Sequence, residues 1–437
     1  MARIKMAYLG GGSTRAVGTM ASFIHQGADF EGSEIVLIDL PGSRLDLVKT
    51  LADKMIAARG LDMTVTTTTD RRAGLTDVDA VLSSFRPGGF QARVLDERIP
   101  LRHGVIGQET QGPGGFFMCL RAVNVMMGVA EDLAAVAPKA RVFNYTNPVN
   151  LVAQAWTTHC DIPLVALCEG PIVYPRELMR DLGYVYDDVD AKMVGLNHAS
   201  WAFEQTYQGA DAMPILREEW ERRKDDPTQE PDLLRRLRIA TTFNAIPSHY
   251  FQYYYCEDEV VAELEAKATT RAEDILSWAP GYWEHYEEQA QTDDPQLDPA
   301  RSRGGIHELE LAIDVMDAVF NDKDEIHPVN VPNVGGMLPG FPDDLVVEIY
   351  GRCNANWIEP LPAPPLARDV RGLVMALGEY QASAGQVAWE GDWKAGIRAL
   401  ASNPLVRTIE KAEIIYTELA AAHREHLPER LLPPSVR

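Results

Sequence analysis

The sequence predicts an α/β fold: a doubly wound parallel sheet at the front of the chain, joined to an intertwined α+β domain behind it. Three observations lead there. Residues 4–9, 35–38, 79–85 and 141–145 are short, largely apolar runs of the length expected for buried parallel strands. Helix-forming stretches at residues 15–25 and 120–136 lie between them, so strand and helix alternate. The first run passes directly into Gly10-Gly11-Gly12-Ser13-Thr14, a tight glycine turn that opens the first helix. With 437 residues the chain has room for two domains, which we divide at 1–165 and 166–437.

Taken in order, each element has a chemical consequence. The glycine turn lets backbone approach a pyrophosphate, and the helix start offers free N–H groups and a partial positive charge. Gly10, Gly11, Gly12, Ser13 and Thr14 are therefore candidate dinucleotide contacts in a Rossmann-type domain. The same turn is also an ordinary way to join strand and helix. The second run ends at Asp39, placed to accept hydrogen bonds from a ribose diol and to repel a 2′-phosphate, which favours NAD over NADP. Ligands of such sheets sit at the carboxyl ends of strands, where Arg86 falls together with Asn147, a candidate contact to the cofactor as well as to substrate.

Composition narrows the partners. Lys and Arg total 41 against 64 Asp and Glu, and the resulting net charge of −23 argues against nucleic acid or an anionic membrane. An anionic small molecule would need a local basic pocket. Five cysteines at scattered spacing, Cys119, Cys160, Cys168, Cys256 and Cys353, fit reduced thiols in a cytoplasmic protein. The start of the chain is too short in apolar residues for a signal peptide, and no apolar run reads as long enough to span a bilayer. Residues 293–305 and 427–437, rich in turn formers and proline, read as surface segments.

Several ordered motifs carry more. They are Phe85-Arg86-Pro87-Gly88-Gly89, Gly107-Gln108-Glu109-Thr110-Gln111-Gly112-Pro113-Gly114-Gly115, Asn144-Tyr145-Thr146-Asn147-Pro148, Cys168-Glu169-Gly170-Pro171 and Asn197-His198. Further on come Ile246-Pro247-Ser248-His249-Tyr250 with Tyr253, Tyr254 and Tyr255, then Arg303-Gly304-Gly305, and Val329-Asn330-Val331-Pro332-Asn333 before Gly335-Gly336. Together, from Gly10 to about Ile349, the chain resembles glycoside hydrolase family four and its close relatives, which hydrolyse sugars by oxidising and re-reducing them. The resemblance implies a fold like that of lactate and malate dehydrogenases, with NAD as a catalytic cofactor and a divalent metal, commonly manganese.

Residue by residue, the resemblance makes Cys168 and His198 the metal ligands and Tyr250 the base that removes the C2 proton once C3 is a ketone. A free cysteine and a core histidine remain the bland reading of the first two, and the aromatic run Tyr250 to Tyr255 could equally be an apolar wall. Glu169 departs from the family pattern: the 6-phospho-β-glucosidases usually carry Asn after the cysteine, and the α-enzymes an Asp regarded as the acid. A glutamate there implies general-acid help to an α-linked leaving group, with support of Cys168 or His198 from behind as its bland reading. Hydride return and water addition at C1 then close the cycle. Arg86, Arg93, Asn147, Asn197 and Arg271 are the substrate candidates. Arg271 resembles a residue that can reach a neighbouring subunit, implying a homo-oligomer, dimer or tetramer. The Cys-Glu-Gly-Pro variant tilts the expected substrate toward sulfoquinovosides, which carry a sulfonate on C6. 6-Phosphoglucosides are the alternative, and a plain NAD-dependent sugar dehydrogenase the further one.

Overall fold

The computed structural model describes residues 1–303 and 310–437. One sheet of 13 strands runs through it. Its parallel half comprises β1 (Lys5–Leu9), β2 (Glu34–Ile38), β3 (Thr64–Thr68), β4 (Ala80–Ser83), β5 (Arg141–Asn144) and β6 (Leu164–Ala166). They lie in the order β3-β2-β1-β4-β5-β6, the doubly wound order in which the crevice opens beside β1 and β4. The predicted strands are all present. β3 and β6 were not foreseen, since the Thr-Val-Thr-Thr-Thr of β3 has a half-wet face and β6 has only three residues.

The antiparallel half comprises β7 (Val189–Leu196), β8 (Ala199–Tyr207), β9 (Ala210–Asp211), β10 (Ile246–Pro247), β11 (Glu325–Pro332), β12 (Val346–Asn354) and β13 (Trp357–Pro360). It continues the same sheet in the order β6-β11-β12-β7-β8-β10. The joint is narrow: Asn330 of β11 pairs with Ala166 of β6, and its side-chain amide also donates to the Ala166 carbonyl. The expected division at 165/166 therefore falls inside β6, and one buried apolar core extends from Ile4 to Leu432 across it.

Three expectations are corrected. The helix read at 120–136 begins at Gly112, because its first turn must pass over the segment 108–110. A Cβ on Gly114 would stand 2.2 Å from the Gln108 carbonyl oxygen, and one on Gly115 2.3 Å from the Thr110 carbonyl carbon. This helix, Gly112–Val136, is long and apolar enough to cross a membrane, contrary to the sequence reading; most of its apolar window is buried against the rest of the molecule. The tail is also no surface segment. Leu427, Leu431 and Leu432 are buried, and Tyr416 donates its hydroxyl to the Leu431 carbonyl. Of the stretch 293–305, residues 304 and 305 lie outside the described residues.

Candidate active site

A cavity of about 490 Å³ opens at the carboxyl ends of β1, β4, β5 and β6. Ser13, Thr14, Arg15, Arg86, Glu109, Asn147, Cys168, Glu169, Tyr174, His198, Tyr250 and Arg303 all contribute to its wall. The fold thus brings residues from across some 290 positions of chain to one place, as the crevice rule for open α/β sheets requires.

At one end lies the glycine turn. Ser13 caps the helix Thr14–His25 by accepting from the Ala16 N–H, and the Gly12 N–H donates to Asp39 Oδ2 at 2.8 Å. Gly10 has φ +94°, and a Cβ there would stand 2.2 Å from the Ser84 carbonyl oxygen, so β1 could not pass the end of β4 with any larger residue. The glycines are thus required by the turn itself. The helix start with Ser13 and Thr14 in the cavity wall, and Asp39 at the end of β2, fit a dinucleotide.

Cys168 follows β6, and His198 completes the two-residue turn between β7 and β8. His198 is held at φ +64°, a conformation that costs a non-glycine residue roughly 1 kcal/mol or more. Its Nε2 lies 3.7 Å from the Cys168 sulfur. A thiolate and an imidazole on one first-row dication stand roughly 3.6 Å apart at tetrahedral angles, so the pair fits a metal. Burial pushes the Cys168 thiol up to about 12, with Glu169 and Glu348 adding to it, and pushes the His198 imidazole down to about 3. Among the described residues no third His, Cys, Asp or Glu joins them, which leaves the remaining coordination to water or sugar hydroxyls.

Tyr250 lies flat on His198, ring centroids 3.9 Å apart and planes within 15°. Burial raises its phenol above the ordinary value, Tyr253 and Glu109 raise it further, and a hydrogen bond from Tyr174 opposes them. Tyr174, on the helix Gly170–Asp181, was not foreseen. Its ring crosses Gly170 so closely that a Cβ there would meet it at 2.5 Å, and the Gly170 four residues before it is the only sequence trace of that contact. Glu348 was also missed. It is buried on β12, where its carboxylate accepts from Asn197 Nδ2 at 2.9 Å and Ser200 Oγ at 2.6 Å, and burial raises it to about 7.

Glu169 is in the wall beside Cys168, where Arg15 donates to it at 3.3 Å and to Glu310 at 3.0 Å. The expected substrate residues divide. Arg86 and Asn147 line the cavity, and Arg303 joins them. Asn197 instead turns to Glu348 and lines a separate small cavity with Thr110, Gln111 and Asn403. Arg93 is buried behind Glu109, paired to it at 2.9 Å and to Glu97 at 2.6 Å, because the helix Gly89–Leu101 turns its side chain inward. Arg271 is exposed at the start of the helix Arg271–Gln289, stacked over Trp278, and is not in the wall of its own chain's cavity. Around Glu109 the balance is uneven. Burial alone would raise its carboxyl, but Arg86, Arg93 and Arg303 outweigh that and hold it below the usual range. With Glu97 also paired to Arg93, three guanidinium groups stand against two buried carboxylates, a surplus of one positive charge.

A dinucleotide-type sheet with a thiol, an imidazole and a phenol gathered at its crevice defines a class of enzyme that pairs a redox cofactor fold with metal and base chemistry. The Family 4 glycosyl hydrolase model matches residues 5–184, and that of the Family 4 glycosyl hydrolase C-terminal domain matches residues 193–406. The chain belongs to this family and is a glycosidase. A probable 6-phospho-beta-glucosidase of Bacillus subtilis is 33% identical over 98% of this chain and 98% of its own. Among solved structures, a 6-phospho-alpha-glucosidase from gut microorganisms, in complex with NAD and Mn2+, has a TM-score of 0.86 at 23% identity, covering 99% of this chain and all of its own. The malate dehydrogenase of Plasmodium falciparum, at a TM-score of 0.53 and 12% identity over 88% of this chain and 98% of its own, bears out the expected dehydrogenase-like fold.

Proposed function

We propose that this chain hydrolyses 6-phosphoglucosides with NAD⁺ as a catalytic cofactor and a divalent metal, manganese by preference, at Cys168 and His198. The observation that carries the substrate reading is the surplus of positive charge at Arg86, Arg93 and Arg303 over the carboxylates of Glu109 and Glu97. A phosphate monoester carries about −1.5 to −2 charges near neutral pH and gains more from such a surplus than a monoanionic sulfonate does. Arginine forks also match phosphate oxygens in pairs. The 33% identical relative is named for a 6-phosphoglucoside, in the same sense. This reading replaces the sulfosugar expected from the Cys-Glu-Gly-Pro variant alone.

When bound, NAD⁺ and the dication would supply hydride exchange at C3 and polarisation of the oxygens there. The chain's own residues do the rest. Arg86 and Arg303 orient the anion at one side of the cavity. Tyr250, flat against His198, receives the proton on C2, with Tyr174 steadying the phenolate by its hydrogen bond. Glu169, beside Cys168, serves the departing oxygen of an α-linked aglycone. A comparison of nitrophenyl 6-phospho-α-glucoside, its β anomer and nitrophenyl α-sulfoquinovoside, each with NAD⁺ and Mn²⁺, tests the reading. Faster release from a phosphorylated substrate is expected, and release from the sulfonate alone would return the site to sulfosugars.

A further inference from the structure

We propose that Gln108 and Thr110 are positioning residues that fix His198 as the Nδ1–H tautomer, so that the lone pair of Nε2 faces Cys168. The inference rests on reading Cys168 and His198 as a cation site. Gln108 Oε1 lies 2.5 Å from the Thr110 N–H and 2.9 Å from the Gln111 N–H. Two backbone donors face that atom, so it is the amide oxygen and not the nitrogen. The Thr110 hydroxyl stands 2.9 Å from the same oxygen, which can only accept, so the hydroxyl spends its one hydrogen there.

What remains on Thr110 Oγ1 is lone pairs, and these face His198 Nδ1 at 3.1 Å. Both groups are buried, so no water intervenes to repair a contact between two acceptors. Nδ1 must therefore carry the hydrogen and donate it to Thr110, which leaves Nε2 bare toward Cys168 at 3.7 Å. The rival neighbour of Nδ1 is Gln111 Nε2, a donor that would favour the other tautomer. One of its two hydrogens goes to the Thr110 carbonyl at 3.1 Å, and at 3.5 Å from Nδ1, against 3.1 Å for Thr110, it is the weaker partner. Its orientation is fixed from the far side, where Tyr254 donates to Gln111 Oε1 at 2.6 Å.

The local sequence makes this relay rigid. A Cβ on Gly107 would stand 1.9 Å from the Glu97 carbonyl oxygen, and those on Gly114 and Gly115 would strike the backbone of Gln108 and Thr110. The three glycines let the segment lie wedged between two helices, with Gln108 and Thr110 turned to the histidine. Ligand histidines in metal sites commonly have their second nitrogen held in this way, and loss of the partner weakens metal binding roughly 10–100-fold.

The test uses the metal-free full-length enzyme with ¹⁵N-labelled imidazoles and the His198→Asn variant to assign the signal. Wild type is expected to show a protonated Nδ1 and a bare Nε2. Thr110→Val should lose that state and bind Mn²⁺, measured by electron paramagnetic resonance, roughly 10–100-fold more weakly, while Thr110→Ser restores both. Gln108→Met frees the hydroxyl to donate to Nδ1 and should shift the tautomer the other way with Thr110 intact. A wild-type spectrum with the hydrogen on Nε2 overturns the inference, as does a Thr110→Val enzyme with unchanged tautomer and Mn²⁺ affinity. If wild type itself fails to bind Mn²⁺, the cation reading is what falls, and the spectrum still decides the role of Thr110 in setting the tautomer.

Discussion

Tyr250 can act only with help, because burial and its neighbours raise its phenol while the Tyr174 hydrogen bond alone opposes them. Tyr250→Phe should keep its stack on His198 and its NAD⁺ affinity but lose exchange of the sugar C2 hydrogen in deuterium oxide. Turnover should fall roughly 10²–10⁴-fold, the usual contribution of a positioned base; retained exchange would remove Tyr250 from the chemistry. Glu348 gives a pH prediction. Its folded value, raised to about 7 from 4.5, means that the folded chain holds a proton the unfolded chain has released between these limits. Stability contributed by this group is therefore highest below pH 4.5 and falls as pH rises through 7, by on the order of 3 kcal/mol at most. Glu348→Gln should flatten that slope in urea unfolding measured on both sides of the window. Cys168, His198 and Tyr250 were legible because each sits in a motif of its own. Glu348, Tyr174 and the role of Thr110 were not, since their partners are elsewhere in the chain and nothing local marks a contact between Glu348 and Asn197, 151 positions apart.

At the scale of elements, one buried charge cluster ties three helices to the site. Arg121, in the middle of Gly112–Val136, is fully buried and donates to both oxygens of Asp96, at 3.0 and 2.6 Å. Asp96 also meets His423 Nε2 at 2.8 Å, just past the helix Ile409–Ala422. Arg121 Nε donates to the Pro87 carbonyl, the residue after Arg86, so the cluster supports the anion-facing loop as well as the packing. Arg121→Met should destabilise by roughly 3–5 kcal/mol, because it leaves Asp96 charged and buried, and adding Asp96→Leu should recover much of that loss. Denaturant midpoints of the two variants check it, and equal midpoints for single and double variants would contradict it. Strands and helices themselves read well from periodicity. The helix start at Gly112 did not, because its glycines answer to the carbonyls of Gln108 and Thr110 and to nothing within the helix.

At the scale of the molecule, the parallel half supplies the cofactor crevice, and the antiparallel half delivers His198 and Tyr250 to it through β7, β8 and the residues after β10. The halves share one sheet and a core that runs through both, which is why the division at 165/166 cut through β6. The net charge of −23 is likewise a property of the whole, while the three arginines around Glu109 and Glu97 make the local exception. Saturating NAD⁺ should stabilise the chain by about 2.7 kcal/mol at 100 times its Kd, seen as a raised Tm. NADP⁺ should do less, since Asp39 lies at the end of β2 where a 2′-phosphate would approach. An equal shift by both would argue against that placement of the adenosine ribose.

The oxidoreductive cycle is tested by following nitrophenol release and NADH absorbance together on nitrophenyl 6-phosphoglucosides, with NAD⁺ and Mn²⁺ present. Many turnovers per NAD⁺ with no net NADH are expected, and solvent hydrogen at C2 of the glucose 6-phosphate formed. One NADH accumulating for each substrate consumed would instead make this chain a sugar dehydrogenase in a glycosidase fold.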